Sequence, residues 1–308
     1  MHAVLAALFP VFLLIIAGLL LRRFLIAEDE HWRGMERLLY YVMFPALLIE
    51  TLARADLTKV PVLAVGGTLL AAVLIMSGLC LALRPLLARR LGADGPAFTS
   101  VFQGVTRWQV FVALPVAGNL FGDLGLALAS VALVAMTPLL NVLSVSVLVR
   151  YASPGAPDWR DVLSGVVQNP LIWSCAIGIA LNPVSGSIPQ PLFVFVDALG
   201  RSSLALGLLI VGAGLRLAEL ARPNVLVFIT CALKLVMMPA IAIMIARGAG
   251  LAGANLMIIV CCASVPAASN SYILARQMGG DAPLMAQILT FETVLAAITM
   301  PVAIGLVS

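Results

Sequence analysis

A chain of 308 residues that is 62% hydrophobic and only 10% charged lies outside the range of soluble domains, in which about a quarter of residues are charged. It reads as an all-α polytopic membrane protein. The net charge of +4 is spread over short loops, which excludes a nucleic-acid partner. Cys80, Cys175, Cys231, Cys261 and Cys262 fall in apolar spans without metal spacing, and the histidines are His2 and His31, so neither a metal nor a cofactor is expected.

The first apolar span, residues 3–23, has no basic residue before it and Arg22 and Arg23 at its end. A signal peptide has the opposite order, so this is expected to be a retained first helix with its N-terminus outside. At about 20 apolar residues per crossing, the remaining spans are predicted at 35–53, 60–83, 97–121, 124–149, 162–182, 190–214, 223–246, 254–276 and 284–307. Ten crossings sort the basic residues by side. The loops after odd-numbered spans hold Arg22, Arg23, Arg33, Arg37, Arg84, Arg89, Arg90, Arg150, Arg160, Arg216, Arg222 and Arg276. The opposite loops hold only Arg54, Lys59 and Arg247. By the positive-inside rule the first face is cytoplasmic and both termini lie outside.

The two halves of the chain echo each other. Pro10 and Gly18 in the first span match Pro170 and Gly178 in the sixth, and Gln109 to Val112 in the fourth resembles Asn270 to Ile273 in the ninth. Pro138 in the fifth span likewise matches Pro301 in the tenth. A repeat of five spans must enter the membrane the second time from the other side. The predicted organisation is therefore a first five-helix repeat over 1–150, a cytoplasmic linker over 151–160 containing Pro154 and Pro157, and an inverted second repeat over 161–308.

Two spans do not look like lipid-facing filler. The ninth carries Pro266 at mid-depth, followed by Ser269, Asn270, Ser271 and Tyr272; the fourth carries Gln103, Thr106, Arg107 and Gln109, then Pro115. Proline removes a helical hydrogen bond, and broken backbone at membrane depth is tolerated only where protein or a water-lined cavity covers it. Two such helices related by a pseudo-two-fold axis are expected to cross near the midplane and aim half-helix N-termini at one point, which favours an anion.

Three basic residues remain inside spans, where each costs at least about 2.5–3.5 kcal/mol. Arg201 has Asp197 one turn away and reads as a structural ion pair. Arg107 is placed to grip a carboxylate with its planar fork, or else pairs with Glu50 or Glu292. Lys234 either bonds a carbonyl of a neighbouring helix or carries a substrate- or proton-linked charge. Glu292 is deep enough to carry a coupling proton or to balance one of these cations. Asn141 is a mid-span amide, and Asn169 before Pro170 reads as a helix cap.

QNPLIW at the start of the sixth span, TPLLNVLSV in the fifth and SVPAASNSYILARQMGGDA in the ninth resemble the auxin efflux carrier family. That family includes bacterial malonate carriers and the plant PIN exporters. The resemblance implies spans four and nine crossing at Pro115 and Pro266, with polar contacts from Gln109, Ser269 and Asn270. The polar residues of the same two spans add Arg107, Tyr272 and Gln103 as substrate-binding candidates. The resemblance also implies a secondary carrier of small organic anions in a bacterial inner membrane, working by alternating access around a rigid crossover domain. A proton or sodium ion is open as coupling partner, and a homodimer is open as assembly. A sodium-coupled symporter similar to the bile acid carriers is the alternative, and a membrane sensor a remote one. An enzyme is not expected, because no mid-span histidine or paired carboxylates offer a catalytic set.

Overall fold

Apolar runs fold into helices here because a bilayer offers no other partner for backbone N–H and C=O groups. The computed structural model describes residues 2–55, 61–152, 169–221 and 223–308. The predicted linker falls almost wholly outside them. The described residues form α1 (His2–Phe24), α2 (Asp29–Leu38), α3 (Phe44–Arg54), α4 (Val62–Leu91), α5 (Gly95–Thr106), α6 (Val110–Tyr151) and α7 (Pro170–Leu181). After these come α8 (Gln190–Ala213), α9 (Val225–Ala232), α10 (Met238–Gly248), α11 (Gly253–Ser264), α12 (Asn270–Gln277) and α13 (Ala282–Gly305). Among the described residues, six helical stretches are long and apolar enough to cross a membrane, and 170–186 and Gly253–Ser264 are shorter apolar helices. On α1, Leu5, Phe9, Leu13, Ile16 and Leu20 stay exposed at helical spacing, a stripe suited to lipid.

The helix starts follow ordinary capping chemistry. Asp94, Asn169, Asn224 and Asp281 each accept a backbone N–H of the first turn that follows, at 2.8–3.0 Å, and Pro96, Pro170 and Pro283 occupy the early positions where a missing donor costs nothing. Asn182 caps the other end of α3, donating to the carbonyls of Leu52, Ala53 and Ala55.

Interruptions of the helices have local causes. A π-helical turn over Leu39–Met43 joins α2 to α3, and another over Leu233–Met237 joins α9 to α10. Each ends two residues before a proline, Pro45 or Pro239. The ring displaces the carbonyl four residues back, and the turn widens. Within α6, Phe121 and Gly122 leave the helical region, Gly122 at φ 56°. A Cβ on Gly125 would collide with the Ala117 carbonyl, and one on Gly118 would crowd Leu126. The chain therefore doubles back at Gly122, which only glycine allows so readily, at the boundary expected between residues 121 and 124.

The helices form two bundles. α1 packs on α8, and α3 packs on α7 and α8. α4, α5, α6 and α9–α13 pack on one another, with α6 also touching α1 and α8. Gly18 lies on the Leu209 carbonyl and Gly212 on the Ile15 carbonyl, too close for any side chain. Small residues let membrane helices approach in this way.

Candidate functional site

The site grows from two gaps in the helices. Between α5 and α6 the chain is extended at Arg107 (φ −72°, ψ 158°) and Gln109 (φ −90°, ψ 97°). Between α11 and α12 it is extended at Val265 (φ −67°, ψ 152°), as a residue preceding proline should be. The gaps touch: the Gln109 N–H donates to the Pro266 carbonyl at 2.8 Å, which replaces a ladder bond that the break removes.

Pro266 therefore lies where the two gaps meet. Pro115 does not. It sits inside α6, six residues past the Gln109 gap, and α6 runs through it. A proline within a helix removes one i to i−4 bond without obliging the chain to leave the helix. The gap forms where the exposed backbone finds partners across the crossing.

Arg107 is 6% exposed. Its Nη2 donates to Asn270 Oδ1 at 3.0 Å and to Asn141 Oδ1 at 3.3 Å, while Nε and Nη1 are enclosed without a partner. Neither carboxylate considered from sequence reaches it. Glu50 pairs with Arg54 at 3.5 Å, and Glu292 accepts the Ala267 N–H at 2.7 Å through Oε2. Amide oxygens solvate the guanidinium but do not neutralise it. Beside it Gln109 Nε2 donates to Ser269 Oγ at 2.6 Å.

Arg107, Gln109, Asn141, Ser269 and Asn270 all line one cavity of about 440 Å³, with Trp108, Phe111 and Asn169. Its other wall comes from Arg33, Glu36, Arg37, Tyr40 and Tyr41, on α2 and the first π turn. Phe111 stacks on Phe44 of α3 at 5.0 Å between centroids, which joins that wall to the crossing. Sequence reasoning missed the α2 wall, because charges ahead of an apolar span read as loop. Asn169 both caps α7 and lines the cavity.

Tyr272 and Gln103 are not in this cavity. Tyr272 lines a second one of about 640 Å³, with Arg22, Arg33, Arg216 and Arg276. Its ring lies under the Arg216 guanidinium and its hydroxyl accepts from Arg216 Nη2 at 3.2 Å. Gln109 and Ser269 line both cavities. Gln103 is fully buried in α5, and neither atom of its amide has a partner.

Lys234, in the second π turn, is fully buried with no partner for its Nζ, so the carbonyl bond considered from sequence does not form. Arg201 makes the expected pair with Asp197 (2.5 Å) and adds a second to Asp123 on α6 (2.9 Å).

Two comparisons bear on this geometry. A family model described as a membrane transport protein matches residues 160–304, a region that includes the second gap and α13. Over 295 residues, 94% of each chain, the protein is 25% identical to an uncharacterized transporter of Methanothermobacter thermautotrophicus.

Proposed function

We propose, on the premise that this chain belongs to the auxin efflux carrier family of membrane transport proteins, that it is a secondary carrier of small organic anions, with a carboxylate as the recognised group. The observation that carries the proposal is Arg107: a buried cation at the crossing of two broken helices, held by two amide oxygens, with no carboxylate partner among the described residues. Burying a charge unpaired is expensive. A site that keeps one is built for a ligand of opposite sign.

In this proposal the carboxylate binds at Arg107, and Asn270 and Asn141 hold the fork in place. Gln109 and Ser269 contribute polar contacts, and Tyr40, Trp108 and Phe111 enclose the apolar part of the substrate. The architecture is ten crossings in two inverted five-helix repeats. α5–α6 and α11–α12 are the broken members, and each repeat supplies one gap. Both cavities open among arginines of the predicted cytoplasmic face, so the conformation is the inward-open one. Transport proceeds as the bundle containing the crossing rocks against the α1, α3, α7 and α8 bundle. The setting is a bacterial inner membrane, with both termini outside.

The test is a thermal-shift panel of mono- and dicarboxylates on the purified protein and on Arg107→Ala. Stabilisation of the parent by at least one carboxylate, lost in the variant, is expected. If no carboxylate stabilises the parent, or if Arg107→Ala keeps the full shift, the anion site is elsewhere.

A further inference from the structure

Next to the second gap lies a further set of polar groups without partners. Glu292 on α13 and Lys234 in the second π turn are both 0% exposed. The second π turn packs on α13, and no hydrogen bond joins Lys234 Nζ to Glu292. Glu292 Oε1, Lys234 Nζ and both atoms of the Gln103 amide are enclosed and unbonded. α5 presses close on this cluster: a Cβ added to Gly104 would stand 2.6 Å from Thr230 Cγ2, 2.7 Å from Ile288 Cγ2 and 3.4 Å from Glu292 Oε1.

Glu292 is also tied to the substrate gap. Its Oε2 holds the Ala267 N–H, the residue between Pro266 at the crossing and Ala268 at the wall of the first cavity. The second cavity reaches the same point, because Ala267 and Thr293, the neighbour of Glu292, both line it. An acid that is buried, free at one oxygen and bonded at the other to the backbone of the gap needs only a route for a proton. The 640 Å³ cavity leads up to it.

We propose that Glu292, on the helix packed against the Lys234 turn, is the proton-binding site of this carrier, loaded from the second cavity. This rests on the anion-carrier proposal and adds its coupling ion. Oε1, the oxygen without a partner, takes the proton from water, and Oε2 keeps the Ala267 N–H. With Glu292 ionised the pair is neutral; with Glu292 protonated the ammonium stands alone, and a carboxylate at the crossing offsets its charge. Each ligand then favours the other by the same factor, and one carboxylate moves with one proton at no net charge. A metal cation fits less well, because it would share the cluster with an ammonium. Other titratable groups on the packed elements do not substitute for Glu292. Cys231 is a buried thiol on α9, Cys261 and Cys262 are buried thiols on α11, Arg276 of α12 is exposed, and α5 presents only neutral Gln103 and Gly104. Tyr272 of α12 bonds Arg216, Glu219 in the 3-10 turn Leu217–Ala221 accepts from Gln287 of α13, and on α1 Arg22 pairs with Asp29 while Arg23 lies over Phe24.

The experiment is a pH titration of the purified protein by infrared difference spectroscopy, with no carboxylate ligand added. A carboxylic-acid carbonyl band that titrates in the parent and is lost in Glu292→Gln is expected, with Glu292→Asp restoring a titrating band at a shifted position. In Lys234→Met, loss of the neighbouring cation favours the neutral acid, and the band persists to more alkaline pH. The proposal is overturned if Glu292→Gln loses no titrating band, or if the titration is displaced by sodium chloride and not by choline chloride. Because no carboxylate ligand is present, failure here leaves the Arg107 site standing, and an inert carboxylate panel leaves this result standing.

Discussion

Arg107 owes its character to its neighbours. Asn141 and Asn270 supply oxygens without charge, so the guanidinium is solvated but keeps a full positive charge for a ligand. Replacing Asn270 by aspartate would supply the missing anion from the protein itself. Asn270→Asp is therefore expected to raise the unfolding temperature of the ligand-free protein and to weaken carboxylate binding at least tenfold, since a charged hydrogen bond contributes about 1.5–3 kcal/mol. Thermal melts with and without the carboxylate check both parts, and an unchanged ligand-free melt would mean that the two side chains do not meet. Much of this constellation was legible in the sequence. Arg107, Gln109, Ser269, Asn270 and Asn141 are polar residues inside apolar spans, and cost alone marks them. The partners of Arg107 were not legible, because Asn141 and Asn270 lie 34 and 163 residues away.

At the scale of the helix, two prolines that look alike in sequence have different consequences. Pro266 lies in a gap whose carbonyl is used across the crossing, whereas Pro115 lies inside a continuous stretch of α6. Pro266→Ala is expected to let α11 extend, to withdraw the carbonyl from Gln109 and to abolish the carboxylate-induced thermal shift. Pro115→Ala only restores a helical donor, and should leave the shift within about twofold of the parent while adding to stability. Comparing the two variants in the thermal-shift assay decides the matter, and equal loss in both would place the functional break at Pro115 after all. Proline content announces that a helix is disturbed; the neighbouring backbone decides where.

At the scale of the molecule, the two bundles touch through a charge cluster on the face away from the arginine-rich cavity mouths. Arg201 and Asp197 belong to α8, and Asp123 follows the reversal at Gly122 in α6. The Arg201–Asp123 bond crosses from one bundle to the other, while Arg201–Asp197 stays within one helix. Arg201 is half exposed and Asp123 mostly so, and the crossing bond contributes about 0.2–1 kcal/mol. Asp123→Asn would remove only the crossing bond and shift an inward–outward equilibrium by up to about fivefold. Labelling Ser269→Cys in oriented vesicles with a membrane-impermeant thiol reagent should show faster reaction from the outer side in the Asp123→Asn background. An unchanged rate would mean that the bond does not hold the outer mouth closed.

The sequence by itself determined that this protein is built of membrane helices, that two of them are interrupted, and which buried charges need an explanation. Those properties follow from the cost of placing polar atoms in hydrocarbon, and that cost is set residue by residue. Only the tertiary structure decided that the interruption before α6 lies at Arg107–Gln109, that α2 walls the cavity, that Tyr272 lines a second cavity, and that Glu292 grips the backbone of the other gap. Each of these depends on which distant atom satisfies a freed hydrogen-bonding group. Burial demands a partner, and the packing of helices far apart in the chain determines which one is within reach.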